Sequence, residues 1–501
     1  MSASIGYQKI AVHGSPYLYD TSTNALIQVP KQAYQILDEY FRIGATRLKK
    51  HFREILPAES ISSAISFIIR AKRESGLFRP FPRQDYSSLL DRGELERSLS
   101  TQLRTLILNV TEQCNQRCKY CTYASKHEGK RFQNNPFMDW KIAKMSIDYF
   151  LARADGRKAP KIFFYGGEPF LAWSLVQRCI QYLRRQARPG SMEIAINSNL
   201  TLLNEERIDY LVGTDTGLIV SVDGPAEIHN RARVFRNGRG THARVLENLD
   251  RIRQKDPDYF SRKVAINCTF DPADSIGDIF RYFSGELWSS LSVQLRLVKK
   301  TGDDSNLYCP GDIEKNKQQL EGLIDLNLKS LNQKGSFNYR LFHDILREVF
   351  AVLSQRRIGE PSLKKRPNRI CIPGVDNLFV SSTGGFFPCE KFRLAEFDIG
   401  NCSNGIDAQK VRELLKAYIR LCEKLCQECW AYRLCSHCFL DALEGGRISK
   451  PKKMAACQKE KERLTRDLER FIYIWENEPK PAWAKEESLH FLVRKNQERE
   501  L

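Results

Sequence analysis

The chain has 501 residues, with 79 Lys and Arg against 60 Asp and Glu, a formal net charge of +19. A length of this order holds two to four domains, and no apolar run approaches the ~18 residues of a membrane span, so no membrane partner is expected. The 15 cysteines occur in a chain whose first eight residues lack a basic-then-apolar signal pattern, which argues against a secreted disulfide framework and for a cytoplasmic protein.

Positive surplus favours an acidic partner, nucleic acid or acidic peptide. Here the basic residues are spread along the chain, and runs such as Leu363-Lys364-Lys365-Arg366 read as solvated linker faces, so nucleic acid is not the expected partner. Residues 1–80 read as a separate unit. Short strands fall at Lys9–Val12, Tyr17–Tyr19 and Ala25–Val29, with a polar turn over Asp20–Asn24. Three helices follow: Lys31–Arg42, with Ala33, Ile36, Leu37 and Phe41 on one face; a second around Thr46–Leu56; and a third capped by Ser60 or Ser62 and running to Ser75. Three strands and three helices make a winged-helix-like module. Residues 81–101, with the charged run Asp91–Arg97, read as a linker plus a short helix.

Residues 102–310 alternate strands with helices. The strands are Thr105–Val110, Lys161–Tyr165, Ile194–Asn197, Leu218–Val222, Val264–Thr269 and Val293–Val298; the helices include Trp140–Ala154, Trp173–Ala187, Asn204–Val212 and His242–Gln254. Six βα units predict an α/β fold, a parallel sheet curled as a partial (βα)6 barrel with its active site at the C-terminal strand ends. The polar motifs fall there. The first strand runs into Cys114, Cys118 and Cys121 in C-x3-C-x2-C spacing. Three thiolates on one loop can hold three irons of a 4Fe-4S cubane and leave the fourth iron for a non-protein ligand. A zinc site takes four ligands, usually from well-separated C-x2-C knuckles. After the second strand comes Gly166-Gly167-Glu168-Pro169, where two glycines let backbone approach a ligand and Glu168 offers an acceptor for a cation. After the third comes Asn197-Ser198-Asn199. After the fourth come Ser221-Val222-Asp223-Gly224-Pro225, His229-Asn230-Arg231-Ala232-Arg233 and Asn237–Thr241. Asp223 reads either as a site residue or as a turn or cap residue.

Residues 311–366 read as a charged helical bridge. A second cysteine group occupies residues 367–460: Cys371-x12-Gly384-x4-Cys389, then Cys426-x2-Cys429-x5-Cys435-x2-Cys438, then Cys457. A zinc ribbon separates its two C-x2-C pairs by ~15–20 residues, and here the gap is five. Residues 461–501 read as the rest of a Lys459–Trp475 helix and a polar tail beyond Pro479. Cys179, Cys268 and Cys309 stand apart and read as buried structural thiols.

The triad, the Gly-Gly-Glu-Pro turn and the Ser-Val-Asp-Gly-Pro block together resemble those of radical S-adenosylmethionine (radical SAM) enzymes, and the second cysteine group resembles their SPASM domain. The resemblance implies one 4Fe-4S cluster on Cys114, Cys118 and Cys121 whose open iron chelates S-adenosylmethionine, with cleavage to a 5′-deoxyadenosyl radical. It places Tyr120 on the adenine and the Gly166, Gly167, Glu168, Pro169 turn on the ammonium. Ser or Asn at the strand ends (Asn197, Ser198, Ser221) would meet the ribose, with Asp223 beside them, and Arg233 the carboxylate. It further implies two auxiliary 4Fe-4S clusters, the outer on Cys426, Cys429, Cys435 and Cys457, the inner on Cys371, Cys389 and Cys438. The fourth inner ligand is then Cys402 or Cys422, or the iron is open. The family usually has C-x3-C where Cys435-x2-Cys438 stands, and often Asp where Asn230 stands. Residues 1–80 resemble the leader-recognition module of peptide maturases, in which a precursor leader adds as a strand. The expected activity is modification of a ribosomally made precursor peptide, with thioether formation ahead of carbon–carbon or carbon–oxygen crosslinking and epimerisation. The other readings are a formylglycine-generating sulfatase maturase and an iron–sulfur winged-helix nucleic-acid binder. A flavodoxin or ferredoxin would donate the electron.

Overall fold

The structure, a computed structural model, describes residues 6–80, 86–121, 137–155, 159–186, 191–271, 273–298, 370–392 and 395–477, together with 314–315, 318–325, 353, 356 and 358–359. The expected tail beyond Pro479, Cys309, residues 81–85 and most of the 311–366 segment lie outside the described residues.

Strands β1 (Tyr7–Val12), β2 (Ser15–Asp20) and β3 (Ala25–Gln28) form an antiparallel sheet in that order. Helices α1 (Lys31–Ile43), α2 (Ala45–His51) and α3 (Ala58–Glu74) follow. α1 buries Ala33, Ile36 and Leu37, and α3 buries Ile61, Ala64, Ile65, Ile68 and Ala71, the spacing of one helix face. α3 starts ahead of the serines expected to cap it. Pro57 stands at its N-cap, and Ser60 and Ser62 lie inside the helix. Leu18, Ile36, Leu48, Ile68 and Phe78 give this unit a core of its own.

After α4 (Ser87–Leu90) and α5 (Arg92–Thr101), strands and helices alternate through β4 (Thr105–Thr111), α6 (Trp140–Leu151), β5 (Lys161–Gly166), α7 (Trp173–Gln186), β6 (Glu193–Ser198), α8 (Glu205–Gly213), β7 (Gly217–Ser221), α9 (Ala226–Ala232), α10 (His242–Lys255), α11 (Pro257–Lys263), β8 (Val264–Phe270), α12 (Ile276–Phe283) and β9 (Ser292–Leu297). β4 to β9 are parallel neighbours in chain order. Side chains alternate between the faces of each strand. Leu106, Leu108 and Val110 therefore join the main core, and Ile107 on the other face packs with Phe379, Phe387, Phe163 and Tyr165.

The sheet does not stop at six strands. β10 (Leu378–Val380) pairs parallel to β4, and β11 (Gly385–Phe387), β12 (Gly400–Asn401) and β13 (Gly405–Ile406) continue it antiparallel, giving ten strands. α13 (Ala408–Leu425), the small hairpin β14 (Leu443–Glu444) and β15 (Arg447–Ile448), and α14 (Lys450–Asn477) complete the described chain. α14 begins nine residues before the expected Lys459, which puts Cys457 on a helix. Among the described residues, no helix is long and apolar enough to cross a membrane.

The N-terminal unit docks on the cysteine-rich region through the five residues between Cys429 and Cys435. Thr21 Oγ1 donates to the Trp430 carbonyl at 2.8 Å. Buried Arg433 donates to the carbonyls of Ser22 (3.1 Å) and Gly359 (2.7 Å). The Trp430 ring meets Tyr19 edge-on at 6.1 Å, and the Tyr86 and Tyr432 hydroxyls lie 3.2 Å apart. Arg433→Met removes the donor and leaves buried carbonyls behind. It is expected to cost about 2–4 kcal/mol, read as a lower midpoint in denaturant unfolding; an unchanged midpoint would show the docking to be energetically idle.

Candidate functional site

β4 leaves the sheet at Thr111, and the loop beyond it carries Cys114, Cys118 and Cys121. Backbone bonds fix this loop on two sides. Gly167 N donates to Thr111 O and Glu168 N to Gln113 O, both at 2.8 Å. Arg117 N donates to Val234 O at 2.8 Å and Lys119 N to Ala232 O at 3.0 Å. A Cβ on Gly166 would stand 2.1 Å from Thr111 O, and one on Gly167 2.1 Å from Gln113 O. These glycines are therefore required by the turn's approach to the cysteine loop, which the expectation of a ligand approach had not anticipated. Gly166, at φ +142, also adopts backbone that L side chains rarely take.

The thiols are held by polar neighbours. Gln116 N reaches Cys114 Sγ at 3.4 Å and Asn199 Nδ2 reaches it at 3.7 Å. Arg233 Nη1 lies 3.9 Å from Cys118 Sγ. Burial pushes the Cys114 thiol up to about 12. It pushes Cys118 to about 11, against the opposing pull of Arg233. As ligands these sulfurs must deprotonate, so metal uptake releases protons.

Asp223 is the hub on one side of the loop. Its carboxylate accepts from the Tyr120 hydroxyl, from Arg233 Nε at 2.7 Å and from Thr269 N at 2.9 Å. The Arg233 guanidinium also lies 5.3 Å from the Tyr120 ring centroid. Asp223 caps no helix: α9 begins behind Pro225 without a side-chain cap. Asp223 N donates to His229 Nδ1 at 3.2 Å, so the ring proton sits on Nε2, which meets Thr241 Oγ1 at 3.0 Å. Burial, with Arg233 adding to it, lowers His229 to about 2 and keeps it neutral.

Glu168 is the hub on the other side, fully buried. One oxygen accepts from Ser198 Oγ (2.8 Å) and Phe170 N (3.0 Å), the other from Asn199 N (2.7 Å). Burial outweighs these bonds and lifts its carboxyl to about 7. It makes no ion pair among the described residues; Arg207 acts on it only at longer range. Asn197 Oδ1, one residue before Ser198, is buried without a hydrogen-bond partner. Pro169 opens the short turn Pro169–Ala172, and Ser221 ends β7 half-buried beside Asn267 of β8. Asn199 links the two sides, through Glu168, Asn115 Oδ1 (2.9 Å) and Cys114. Sequence reasoning names Asn199 within the Asn-Ser-Asn motif and gives it no role. It also missed Thr269, whose backbone contribution leaves no local signature.

In the second sulfur group, Cys371 and Cys389 lie toward the opposite end of β4. Extending the β10–β11 register sets Cys389 opposite Asn377, whose Nδ2 lies 3.8 Å from Cys371 Sγ. Cys389 and Cys438 influence each other electrostatically. The register Leu378↔Leu106 puts this cluster level with the start of β4, on the order of 20 Å from the Cys114 loop at ~3.3 Å per residue. Neither candidate for the inner fourth ligand stands here. Cys402 N bonds Gly384 O at the far end of β11. Cys422 stands beside Cys426, to which it is hydrogen-bonded. Cys426, Cys429, Cys435 and Cys457 are electrostatic neighbours, and burial pushes Cys435 to about 12.

Residues 108–274 match the radical SAM superfamily and form a radical SAM domain. A stretch of 147 residues is 35% identical to an uncharacterised protein of Methanocaldococcus jannaschii, covering 29% of this chain and 48% of that one, so the chain spans about half of this relative's length. A cysteine-type anaerobic sulfatase-maturating enzyme of Clostridium perfringens is 24% identical over 343 residues, 66% of this chain and 87% of the relative. The solved structure of native anSMEcpe with bound AdoMet and Kp18Cys peptide superposes with a TM-score of 0.56 at 20% identity, covering 74% of this chain and 98% of that one. That likeness is one of fold: an α/β arrangement around a sheet rich in parallel strands.

Proposed function

We propose that this protein is a radical SAM/SPASM peptide maturase that forms a thioether crosslink in a ribosomally made precursor. The observation that carries the reading is the buried Glu168 carboxylate beside the three-cysteine loop, with no ion pair among the described residues, together with the unpartnered Asn197 Oδ1 at the end of the neighbouring strand β6. An acceptor pair of this kind suits the ammonium and a ribose hydroxyl of S-adenosylmethionine. Cys114, Cys118 and Cys121 would hold the first cluster, which when bound with S-adenosylmethionine supplies one-electron cleavage and a hydrogen-abstracting 5′-deoxyadenosyl radical. Tyr120 orients the adenine and Arg233 the carboxylate, with Asp223 fixing both side chains. Cys371, Cys389 and Cys438 would hold an inner auxiliary cluster, and Cys426, Cys429, Cys435 and Cys457 an outer one, with a flavodoxin or ferredoxin as reductant. The leader adds as a strand to the β1–β3 sheet. α14 packs against β1, so β3 is the proposed edge.

Joining a cysteine sulfur to a carbon removes two hydrogens from the peptide and blocks one thiol. Co-expression with a short cysteine-bearing open reading frame encoded beside the gene, followed by thiol alkylation and mass spectrometry, tests both. Loss of two hydrogens with every cysteine still alkylatable would mean a carbon–carbon or carbon–oxygen link. Unchanged mass with solvent deuterium incorporated would mean epimerisation. The similarity to sulfatase-maturating enzymes favours a second reading, oxidation of a protein cysteine or serine to formylglycine, which a hydrazide probe would trap as an aldehyde.

A further inference from the structure

Lys453 is 1% exposed and forms no ion pair with a carboxylate among the described residues. Its Nζ donates to the Tyr418 hydroxyl at 3.0 Å and lies 4.7 Å from that ring's centroid. Two helices build this corner. α13 presents Tyr418 and Cys422, four residues apart, and α14 presents Lys453 and Cys457 with the same spacing, so each pair shares a helix face. Cys422, Cys426, Cys435, Cys457 and His437 lie within electrostatic range of the ammonium. The nearest acidic residue of α14, Glu460, is already bound by Arg463 at 2.9 Å and by Ser436 N at 3.1 Å.

A buried ammonium is stable beside an anion, and one left without a counter-charge is strongly unfavourable. The hydroxyl of Tyr418 is no anion, and protonated thiols carry no charge. A 4Fe-4S cluster bound by four thiolates does carry net negative charge, and one more on reduction. We propose that Lys453 is the buried counter-charge of the outer auxiliary cluster and raises its reduction potential. This rests on the proposed SPASM reading. The nearby cation stabilises the reduced form more than the oxidised one, and the low local dielectric makes the effect large. Lys453 is thus a positioning residue for electron flow.

The test uses the full chain, reconstituted anaerobically with iron and sulfide, and redox titration followed by electron paramagnetic resonance. Cys426→Ala/Cys429→Ala first identifies the outer signal; if this double variant removes no signal and no iron, the SPASM reading itself fails, and this inference with it. Lys453→Gln is expected to keep wild-type iron and move that one signal to lower potential. The expected size is at least about tenfold in the reduction equilibrium, about 59 mV for one electron. The other signals should stay in place, and Lys453→Arg should restore the potential. Wild-type potential in Lys453→Gln at full iron content would overturn the inference. Should Lys453→Gln lose iron, retention by Lys453→Arg would support a charge role, and equal loss in both would show that Lys453 serves packing alone.

Discussion

Replacing Cys114, Cys118 and Cys121 together by Ala is expected to abolish 5′-deoxyadenosine production by the reconstituted protein and to lower bound iron from roughly 12 to about eight per chain. The loss should be confined to this site. The loop is tied down by backbone bonds to Gly167, Glu168, Val234 and Ala232, which the substitutions leave intact, so its path does not depend on the thiols. Cys371 and Cys389 lie level with the start of β4, away from this loop, and the second sulfur group should keep its iron. Undiminished cofactor cleavage by the variant would sink the assignment of the triad. Zinc in place of iron in anaerobically purified wild-type protein would sink that of the second group.

Much of this arrangement was legible in the chain, and the rest was not for identifiable reasons. β4 to β9 begin and end within a residue or so of their expected limits, because short apolar runs between polar turns mark strands directly. Asn204 reads as a helix start, and its side chain does accept from Arg207 N at 3.0 Å. α13 escaped notice although Val411, Leu415, Tyr418, Ile419 and Cys422 recur at helical spacing, since cysteine spacing dominated the reading of that region. The same emphasis treated Cys422 as a candidate for the inner set, where helix geometry turns it toward Cys426. The Asp223–Arg233–Tyr120 contact and the seat of Arg433 on Ser22 join residues far apart in the chain, and local pattern carries no trace of such pairings. The Gly166-Gly167 pair reads from sequence as a place of close backbone approach, and the structure adds the cysteine loop as a neighbour that local pattern does not name.

Glu168→Gln is expected to separate the stability of the ligand-free protein from its affinity for S-adenosylmethionine. Burial raises the carboxyl from 4.5 to about 7, only partly offset by the hydrogen bonds from Asn199, Phe170 and Ser198 and by the longer-range attraction of Arg207. The proton is held more tightly in the folded state. The favourable contribution is therefore complete below about pH 4.5 and is lost as pH rises toward 7, on the order of 3 kcal/mol across that window. Gln cannot ionise, so the variant's ligand-free stability should be flatter over this range and higher than wild type above pH 7. Binding should show the opposite preference. An ammonium placed against Glu168 favours the ionised form, so wild-type protein releases a proton on binding between pH 4.5 and 7, and affinity rises with pH until it levels off. The Gln variant should lose that dependence and bind roughly 10–100-fold more weakly, the scale of one charge-assisted hydrogen bond. Isothermal titration of cluster-reconstituted protein with S-adenosylmethionine, in two buffers of different ionisation enthalpy, measures affinity and proton release together. Wild-type affinity in the variant, or no proton release below pH 7 in the wild type, would remove Glu168 from the cofactor site and leave it as a carboxyl buried for the sake of Ser198 and Asn199 alone.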